Sequence, residues 1–479
     1  MKHCEDIKKE DLTGDSFFLS PGAHIHFIGI GGSSMSGLAQ ITAARGYRVT
    51  GSDRTDSDKL NKLRGLGIEI CIGHDEKNLS PACSLVVYTL AIAKDNPEYC
   101  KACKLGIPTI ERGVYLGILT KEHPYSIAVS GTHGKTTTTS MIASILISDH
   151  KEPSVHLGGV FPRIGGNILA SPGPYFVTEA CEYHENFLNL FPYAGVILNI
   201  EAEHLDYYRD ISQIKQAFMK FARLLPADGF LVVCGQNQVA LEAASAAVCP
   251  VTTYGCAASA EESPYEYTAI DLQANERGTR FQIWKEGRFF TEIFLPIPGR
   301  HNVLNALAAA AVCDRLHCTA DSISDGLSQF CGTERRFEQI GVCNGAAIID
   351  DYAHHPTEIR ATLEAAAAYA SGKIWCVFQP HTYSRAKAFL HDFPAALSGG
   401  DEIIVADIYS AREKNTGDIS SQMLTDTLQK AGLRAVYMPD FQEITTYLRS
   451  HIKPNDLVIT LGAGDINQVG YALAENKQG

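Results

Sequence analysis

SIAVSGTHGKTTTTSMIASIL, residues 126–146, joins an apolar strand to an apolar-periodic helix through a turn bounded by two glycines. In such a turn, small residues let backbone N–H groups close around phosphate oxygens, and the helix N-terminus adds the positive end of its dipole. Lys135 can reach the terminal phosphates, and the hydroxyl of Thr136 can bind Mg²⁺. The usual spacing would put the first glycine of a phosphate loop at Val129, so this loop is a variant. Its predicted ATP-binding residues are Gly131, Thr132, His133, Gly134, Lys135, Thr136 and Thr137.

The composition of the chain limits its class and its partners. Of its 479 residues, 45% are hydrophobic and 20% are charged, which is typical of an ordinary globular protein. The first twenty residues mix charges of both signs without an apolar core, and no stretch has the roughly 18 apolar residues of a membrane helix. The formal net charge of −13 opposes binding to nucleic acid and to anionic membranes. We therefore expect a cytoplasmic protein that acts on small molecules, with no nucleic-acid or membrane partner.

Strands and helices alternate on both sides of the loop. Apolar strands that run into glycine- or histidine-containing turns begin near His24, Ser126 and Ala346. This alternation predicts parallel sheets with helices on their faces, and therefore an α/β class. The polar segment 121–124 contains a proline and is interpreted as a linker. We predict three domains, namely a Rossmann-like domain at 1–121, a central phosphate-loop ATPase domain at 122–336 and a C-terminal Rossmann-like domain at 337–479.

A second glycine turn follows the first apolar strand. Gly29, Gly31 and Gly32 match part of a dinucleotide-binding fingerprint, and Asp53 ends the next strand, where a ribose ligand would be placed. Ser34 stands where that fingerprint has its third glycine. The turn is therefore consistent either with a nicotinamide or flavin cofactor or with another nucleotide at the same place.

Two candidate metal ligands follow strands of the central domain. Glu179 ends one predicted strand, and His204 follows another. Because ligands bind at the carboxyl ends of parallel strands, both side chains are expected beyond the phosphate loop. With Thr136 and phosphate oxygens, a carboxylate oxygen and an imidazole nitrogen would complete the shell of a small divalent cation. Glu179 or His204 taken alone would more often be a solvated or structural group, but their shared placement beyond the phosphate loop favours a Mg²⁺ site with Thr136.

The C-terminal domain carries two polar clusters at predicted strand ends. Residues 350–356, DDYAHHP, follow one strand, and residues 379–385, QPHTYSR, follow the next. Helix caps and turns would account for some of these residues. They account less well for the histidines and for Tyr383 and Arg385. The clusters therefore indicate a binding site for a small substrate.

The order of five motifs resembles that of a known family. The motifs are GIGGSSMSGLA from Gly29, SGTHGKTTTT from Ser130, GRHNVLNALAA from Gly299, ERRFE from Glu334 and DDYAHHPTE from Asp350. Together they resemble the Mur ligases, over nearly the whole chain from residue 29 to about residue 464. The resemblance implies an ATP-dependent ligase that forms an amide bond during synthesis of a peptidoglycan precursor.

The resemblance also implies a role for each domain. UDP-N-acetylmuramate would bind to the first domain and L-alanine to the third, and ATP and Mg²⁺ would lie between the second and the third. The lactyl carboxylate would attack the γ-phosphate to give an acyl phosphate, from which the amine of L-alanine would displace phosphate. We expect a monomer or a homodimer.

The family's site positions map onto individual residues of this sequence. The UDP-substrate positions are Gly29, Gly31, Gly32, Met35, Ser36 and Asp53. Further ATP positions are Asn302, Asn305, Arg336 and Asp351, and the magnesium positions are Thr136, Glu179 and His204. The catalytic positions are Lys135, His204 and Arg336, and the amino-acid positions are Tyr352, His354 and Arg385.

Three residues depart from the pattern of many relatives. Cys181 stands where relatives carry an acidic residue, which bears on a second metal ion, and Glu334 stands where relatives carry a glycine. Thr382 replaces an arginine of several relatives, which leaves Arg385 as the main predicted ligand for the amino-acid carboxylate.

Three alternative functions remain open from the sequence. A recycling ligase would attach a preformed peptide to the same UDP-sugar, and its motif EADEYD resembles EACEYH at residues 179–184. An NAD(P)-dependent dehydrogenase would use the first glycine turn and would leave the phosphate loop idle. A nucleotide-binding scaffold would have no turnover, and ATP hydrolysis should then not depend on any UDP-sugar.

Overall fold

We describe a computed structural model of the chain, over residues 6–12, 19–93, 95–205, 207–275, 277–411, 413–415 and 417–475. The chain forms two compact units. Unit 1 comprises residues 1–203, 210–254 and 308–326, and unit 2 comprises residues 204–209, 255–307 and 327–479. Within the described residues, no helix combines the length and the apolar character needed to cross a membrane.

The first sheet of unit 1 is parallel and lies near the chain N-terminus. Its strands are β1 (Asp6–Ile7), β2 (His24–Ile28), β3 (Arg48–Asp53), β4 (Glu69–Ile72), β5 (Leu85–Tyr88) and β6 (Thr109–Glu111), in the order β1-β6-β5-β2-β3-β4. Its helices are α1 (Ser33–Ala44), α2 (Asp58–Gly65), α3 (Pro97–Leu105) and α4 (Arg112–Lys121). Because β2 lies beside β3, the glycine turn that follows β2 lies beside Asp53.

The second sheet of unit 1 surrounds the strand that leads into the phosphate loop. Its strands are β7 (Tyr125–Ser130), β8 (Ser154–Phe161), β9 (Gly166–Leu169), β10 (Tyr175–Glu179), β11 (Ala194–Ile197), β12 (Phe230–Cys234) and β13 (Val251–Cys256). Their order is β13-β12-β11-β7-β10-β8-β9, and only the hairpin β8-β9 is antiparallel. Since β10 and β11 flank β7, the residues that follow these three strands meet at one edge.

The helices of this part of the chain are α5 (Lys135–Ser148), α6 (Ile211–Ala222), α7 (Gln238–Ala244), α8 (Arg300–Arg315) and α9 (Ala320–Ser328). Helix α5 is buried along most of its length. Residues 308–326 complete its packing, because the Ser144 hydroxyl donates to the Gly326 carbonyl over 2.6 Å. A Cβ on Gly326 would lie 2.5 Å from the Cα of Ile145, so α9 packs directly against the α5 backbone.

Unit 2 contains an antiparallel meander and a third, mostly parallel sheet. The meander is β14 (Tyr267–Asn275), β15 (Gly278–Lys285) and β16 (Arg288–Leu295). The third sheet consists of β17 (Glu338–Cys343), β18 (Ala346–Asp351), β19 (Ile374–Phe378), β20 (Glu402–Val405), β21 (Ala435–Tyr437) and β22 (Leu457–Leu461), in the order β17-β18-β22-β19-β20-β21. Only β17 is antiparallel to its neighbour.

Helices cover both faces of this third sheet. They are α10 (Pro356–Tyr369), α11 (Tyr383–Ala388), α12 (Phe393–Leu397), α13 (Ser421–Lys430), α14 (Phe441–His451) and α15 (Asn467–Ala474). One apolar cluster joins the sheet to α10, α12 and α13, and a second joins it to α14 and α15. The predicted α/β class with parallel sheets is confirmed.

Several elements differ from the sequence expectation. Strands β1, β4 and β17 and the hairpin β8-β9 were not predicted, because they are short or lie at sheet edges. The segment 121–124 is a short turn rather than an open linker, since α4 ends at Lys121 and β7 begins at Tyr125. Within it, His123 is buried and packs against the ring of Phe176 at 4.9 Å.

Candidate active site

The phosphate loop requires glycine at two positions. Gly131 has φ of 142°, and a Cβ there would lie 2.9 Å from the Cβ of Leu198. Gly134 has φ of 85° and forms the N-cap of α5. Side chains other than hydrogen are strained in this conformation, so the two glycines allow the backbone to turn closely around a ligand. The predicted loop is therefore present as a glycine-bounded turn at a helix N-terminus.

The loop is held in place by the residues that follow β11. The amide oxygen of Asn199 accepts from His133 N at 2.8 Å, and its amide nitrogen donates to the His133 carbonyl at 3.1 Å. Thr132 N donates to the Asn199 carbonyl at 3.0 Å, and the Thr132 hydroxyl accepts from Glu201 N at 2.9 Å. These contacts fix the loop before any nucleotide is bound, which lowers the entropic cost of binding.

Lys135 is the cation of the loop, and its partner is Glu182. The ammonium donates to the carbonyl oxygens of Gly131 and Thr132 and lies 3.0 Å from the Glu182 carboxylate. Burial opposes the charged form of Lys135, but Glu182 outweighs burial and raises the pKa of the lysine. Glu182 is only 2% exposed. Sequence reasoning missed it, although it lies three residues after the predicted ligand Glu179.

Glu179 lies where a cation bound to the phosphates would be expected. One of its oxygens, Oε1, accepts from Gly158 N at 2.7 Å. No donor among the described residues lies within hydrogen-bond distance of Oε2, which therefore remains able to face a cation. A Cβ on Gly159 would lie 3.2 Å from the Thr136 methyl group, so β8 passes close to Thr136. A carboxylate and a hydroxyl beside a phosphate loop are the oxygen donors that suit Mg²⁺.

His204, the third predicted metal ligand, belongs to unit 2. It has φ of 54°, and its carbonyl accepts from Tyr207 N at 2.9 Å and from Tyr208 N at 2.8 Å. A positive φ is uncommon for a residue with a side chain and points to a locally constrained turn. Its role as a ligand stays a prediction.

The N-terminal glycine turn and Asp53 lie together, as predicted from the strand order. Gly31 N donates to Asp53 Oδ2 at 2.8 Å. Met35 and Ser36 are 2% and 3% exposed, and the Ser36 hydroxyl donates to the Ser33 carbonyl at 3.1 Å. The buried side chains of Met35 and Ser36 therefore pack beneath the turn on its protein side. Only the backbone of these two residues could contact a ligand.

Two cations at this turn were not foreseen from the sequence. The Lys59 ammonium donates to the Ser33 hydroxyl at 2.8 Å, and the Arg112 guanidinium donates to the Ser34 hydroxyl at 3.1 Å. They come from α2 and from the start of α4, so only the fold brings them to the turn. Together with the N-terminus of α1, they provide positive charge for a phosphate group.

Ser34 also contacts a buried histidine of the second sheet. The Ser34 hydroxyl lies 3.0 Å from His156 Nε2, and His156 Nδ1 lies 3.1 Å from the Thr178 hydroxyl. Burial, assisted by the charge of Arg112, lowers the pKa of His156 to about 4. The imidazole is therefore neutral at physiological pH.

In unit 2, Asp351 is held by its own strand end. Its carboxylate accepts from Phe337 N at 2.8 Å and from Ala353 N at 2.7 Å. Burial raises its pKa to about 6, although Arg336 acts in the opposite direction. Arg336 lies 3.6 Å from Glu358, and its guanidinium stacks over the Tyr352 ring at 5.3 Å.

The two arginines of the ERRFE motif have different surroundings. Arg335 donates to Asp350 at 2.8 Å and to the carbonyls of Gly464 and Gly462 at 2.9 and 2.7 Å. The Arg335 guanidinium therefore uses its hydrogen-bond donors within the fold. Arg336 pairs with Glu358 at 3.6 Å, and its role as an ATP residue stays a prediction.

Asn302 and Asn305 lie on the first turns of α8. Asn302 donates to the Pro298 carbonyl at 2.7 Å, and Asn305 donates to the side-chain oxygen of Asn302 at 3.4 Å. Their neighbour His301 is half-buried, and its desolvation lowers its pKa to about 4. The two side-chain amides are thus hydrogen-bonded neighbours on one face of α8, as expected for residues three positions apart.

The predicted amino-acid residues meet at the ends of β18 and β19, with one addition. The rings of Tyr352 and His354 are 5.7 Å apart, and those of His354 and His381 are 5.6 Å apart. Arg385 lies 2.8 Å from His381 Nδ1 and donates to the His381 carbonyl at 3.2 Å. Tyr409 stacks on His381 at 5.6 Å. His381 therefore joins the cluster and orients the guanidinium of Arg385.

Three sequence models of one family match successive parts of this chain. The model described as the Mur ligase family, catalytic domain, matches residues 24–124. The Mur ligase middle domain matches residues 129–313, and the Mur ligase, glutamate ligase domain, matches residues 335–464. The matches therefore cover the glycine turn, the phosphate loop and the C-terminal polar clusters.

Individual relatives resemble the chain over almost its full length. A UDP-N-acetylmuramate–L-alanine ligase of Acetivibrio thermocellus is 48% identical over 456 residues, which are 95% of this chain and 96% of the relative. Its counterpart in Clostridium acetobutylicum is 47% identical over 93% of this chain and 96% of the relative. The crystal structure of a UDP-N-acetylmuramate–alanine ligase from Thermotoga maritima is similar with a TM-score of 0.78 at 31% identity, over 95% of this chain and 99% of that chain.

Proposed function

The chain belongs to the Mur ligase family, and we propose that within this family it joins L-alanine to the lactyl carboxylate of UDP-N-acetylmuramate at the expense of ATP. The observation that carries the proposal is the similarity over 95% of the chain to ligases named for this reaction. The glycine-bounded phosphate loop with its single lysine supports it independently. A dehydrogenase would leave this loop without a role. Since ATP is a substrate, we place the reaction in the cytoplasm.

The chain's residues suit phosphoryl transfer followed by acyl transfer. The lactyl carboxylate attacks the γ-phosphate, ADP leaves, and the amine of L-alanine then displaces phosphate from the acyl phosphate. Such chemistry depends on positioning and charge neutralisation more than on a protein nucleophile. Lys135 provides the charge, and the contacts of Asn199 to the loop provide the positioning. Arg336 and Asp351 are proposed as further ATP residues, with Asn302 and Asn305 near the adenine.

Mg²⁺ is the proposed metal, with Thr136, Glu179 and His204 as its ligands. When bound, the ion neutralises charge on the phosphate oxygens. The assignment is supported by β8, in which Gly158 contacts the Glu179 carboxylate and the adjacent Gly159 lies close to Thr136. Cys181 replaces an acidic residue of many relatives, so the proposal is limited to one ion at this position.

The UDP-sugar is proposed to bind at the turn formed by Gly29, Gly31 and Gly32, with Asp53 beside it. Met35 and Ser36 would take part through the backbone alone, because their side chains are buried. The Lys59 and Arg112 contacts to the turn supply cationic partners for a diphosphate.

L-Alanine is proposed to bind at the Arg385 cluster. A guanidinium can hold the amino-acid carboxylate through two parallel hydrogen bonds, which leaves the amine free to attack. His354 and Tyr352 lie along one side of this cluster, and His381 fixes Arg385.

One assay tests the reaction, the substrate and the specificity together. Purified protein is incubated with ATP, Mg²⁺ and UDP-N-acetylmuramate, and phosphate release is followed with L-alanine, glycine, L-serine or an L-alanine-containing tripeptide. We expect turnover with L-alanine, weaker turnover with glycine because one methyl group is worth only about 1–3 kcal/mol, and tolerance of L-serine. Turnover with the tripeptide and none with L-alanine would establish the recycling ligase instead. ATP hydrolysis that ignores the UDP-sugar would establish a scaffold.

A further inference from the structure

We propose that His156 is a positioning residue that couples the glycine turn of the UDP-sugar site to Glu179, the proposed Mg²⁺ ligand. The inference rests on the proposed function, because it assigns a substrate to each end of a chain of contacts. Both ends lie within unit 1.

The contacts form one continuous path. Arg112 donates to the Ser34 hydroxyl at 3.1 Å, and that hydroxyl lies 3.0 Å from His156 Nε2. On its other side, His156 Nδ1 lies 3.1 Å from the Thr178 hydroxyl. The Thr178 hydroxyl in turn donates to the carbonyl of Glu179 at 3.2 Å. His156 and Thr178 are 5% and 0% exposed, so water does not compete at the centre of this path, whereas Ser34, Arg112 and Glu179 at its ends are partly exposed.

The direction of the path follows from which groups can donate. Arg112 can only donate, and the Thr178 proton is used toward Glu179, so the Thr178 oxygen must accept from His156 Nδ1–H. His156 Nε2 then accepts the proton of the Ser34 hydroxyl. Every hydrogen bond points from Arg112 toward Glu179. Removing His156 leaves the buried Thr178 hydroxyl without its donor, and removing the Thr178 hydroxyl leaves the buried His156 Nδ1–H without its acceptor.

Strand β8 holds Glu179 at a second point. Gly158 follows His156 by two residues, and its N–H donates to the Glu179 carboxylate at 2.7 Å. His156 therefore acts on Glu179 through Thr178 and the main chain, while Gly158 acts on the carboxylate directly. A shift of β8 would move both contacts together.

Helix α1, which follows the glycine turn, is packed against the hairpin β8-β9. A Cβ on Gly37, in α1, would lie 2.3 Å from Ile168 Cδ1 and 3.5 Å from His156 Cδ2. Asn167 also donates to the Ser33 carbonyl at 3.2 Å. Because close-packed elements transmit displacements, a ligand that moves Ser33 and Ser34 also moves β8. A histidine that only filled the core would need no hydrogen bond to the glycine turn.

The expected consequence is mutual strengthening of the two ligands. A diphosphate at the turn would fix Arg112 and Ser34, and this would hold His156, Thr178 and Glu179 in one arrangement for Mg²⁺ and nucleotide. Coupling of this kind changes affinity by about 5- to 150-fold and acts equally in both directions.

Isothermal titration calorimetry tests the inference without turnover. UDP-N-acetylmuramate is titrated into the full chain with and without Mg²⁺ and a non-hydrolysable ATP analogue. In the wild type we expect the analogue and Mg²⁺ to tighten UDP-sugar binding by at least about 5-fold. In His156→Leu and in the nearly isosteric Thr178→Val, we expect the UDP-sugar to bind alone within about 3-fold of wild type, with the tightening lost.

His24→Leu is the matched control. His24 is also a buried histidine of unit 1 that contacts a threonine hydroxyl, at 2.8 Å from Thr50, but it does not lie on the path. It should lower stability and keep the tightening. The inference is overturned if the wild type shows no tightening, if Thr178→Val and His156→Leu both keep it, or if His24→Leu loses it equally. A wild type that does not bind the UDP-sugar at all refutes the proposed function instead.

Discussion

The ion pair between Lys135 and Glu182 fixes the position and the charge of the loop lysine when no nucleotide is bound. Glu182 keeps the ammonium charged despite its burial, and the carbonyls of Gly131 and Thr132 hold it over the loop. The lysine is therefore ready to meet phosphate oxygens without a change in protonation. The sequence predicted Lys135 but not its buried partner Glu182, so the predicted set of loop residues was incomplete.

Replacing Lys135 by alanine removes this charge from the transferring phosphates. We expect Lys135→Ala to lower the ligation rate by about 10²-fold or more, because one preorganised charge or donor is typically worth that much. Lys151→Ala is the control, since Lys151 also forms an ion pair, with Asp149 at 3.1 Å, at the other end of α5. Phosphate release measures both. Near-wild-type ligation by Lys135→Ala would mean that the loop does not bind ATP.

Asp351 should make stability depend on pH in an unusual direction. Its folded pKa of about 6 lies above the ordinary value of 3.8, so the folded chain holds a proton that the unfolded chain has lost between these values. The free energy of unfolding therefore falls as pH rises from about 4 to about 6, by roughly 2–3 kcal/mol for this group.

Asp351→Asn removes the titrating group. The free energy of unfolding of this variant, measured relative to that of the wild type, should therefore rise by roughly 2–3 kcal/mol between pH 4 and pH 7. Urea unfolding followed by the fluorescence of Trp375, in the same sheet, measures the difference. A difference that stays constant with pH would contradict the raised pKa.

Arg385 is predicted to select the amino-acid substrate. We expect Arg385→Ala to raise the KM for L-alanine strongly and to leave KM for ATP and for the UDP-sugar nearly unchanged, because only the amino-acid carboxylate loses its partner. Lys387→Ala is the control, since Lys387 lies two residues further along α11 and pairs with Asp418 at 2.5 Å. Equal changes in all three KM values would place Arg385 in the fold rather than in the site.

Some site residues could be predicted from the sequence and others could not, because only some of them belong to a local sequence motif. Gly131, Lys135 and Asp351 belong to short motifs that are recognisable along the chain, although their packing partners, such as Glu182 for Lys135 and Phe337 for Asp351, are distant in sequence. Ser34 and His156 are 122 residues apart, and only the packing of α1 on β8 brings them together. Long-range polar contacts of this kind leave no local pattern.

Among the elements, α4 shows how closely two parts of unit 1 are packed. A Cβ on Gly117 would lie 2.1 Å from the Asn189 carbonyl oxygen, and the Thr120 hydroxyl accepts from Phe191 N at 3.0 Å. The helix therefore lies against the backbone of residues 189–191. Only glycine at position 117 permits this approach.

Gly117→Ala should destabilise the chain by about 1–3 kcal/mol, because the added methyl group meets backbone that cannot rotate away. Gly65→Ala is the matched control in α2, where nothing lies within 4 Å of the added Cβ. We expect that control to be neutral or to stabilise by up to about 1 kcal/mol, since alanine favours helix. Chemical denaturation distinguishes the two, and equal effects would contradict the tight packing of α4.

Element types were predicted better than sheet edges. Central strands such as β2, β7 and β19 are almost completely buried and rich in apolar residues, and their pattern identifies them. The hairpin β8-β9 lies at the edge of its sheet and has a partly polar sequence, so its pattern is weak. This missed hairpin carries His156 and Gly158, the residues that hold Glu179.

At the scale of the whole molecule, the substrates should protect different stretches of the chain. Hydrogen exchange should slow at residues 29–36 when UDP-N-acetylmuramate is added, because the glycine turn would close on the diphosphate. It should slow at residues 131–137 when Mg²⁺ and an ATP analogue are added. Mass spectrometry of peptides measures both, and residues 441–451 of α14, which belong to neither proposed site, serve as an internal reference. Protection of the opposite stretch by either ligand would reverse the assignment of the two sites.

The discontinuous make-up of unit 1 has a consequence for the newly made chain. Residues 308–326 pack on Ser144 and Ile145 of α5, yet more than 150 positions separate them along the chain. A ribosome therefore releases the phosphate loop long before it releases the segment that covers the far end of the same helix. Until then, the face of α5 around Ser144 and Ile145 lacks its final partner and remains open to wrong contacts. A nascent chain arrested near residue 254 should need a chaperone, whereas one that extends past residue 326 should not.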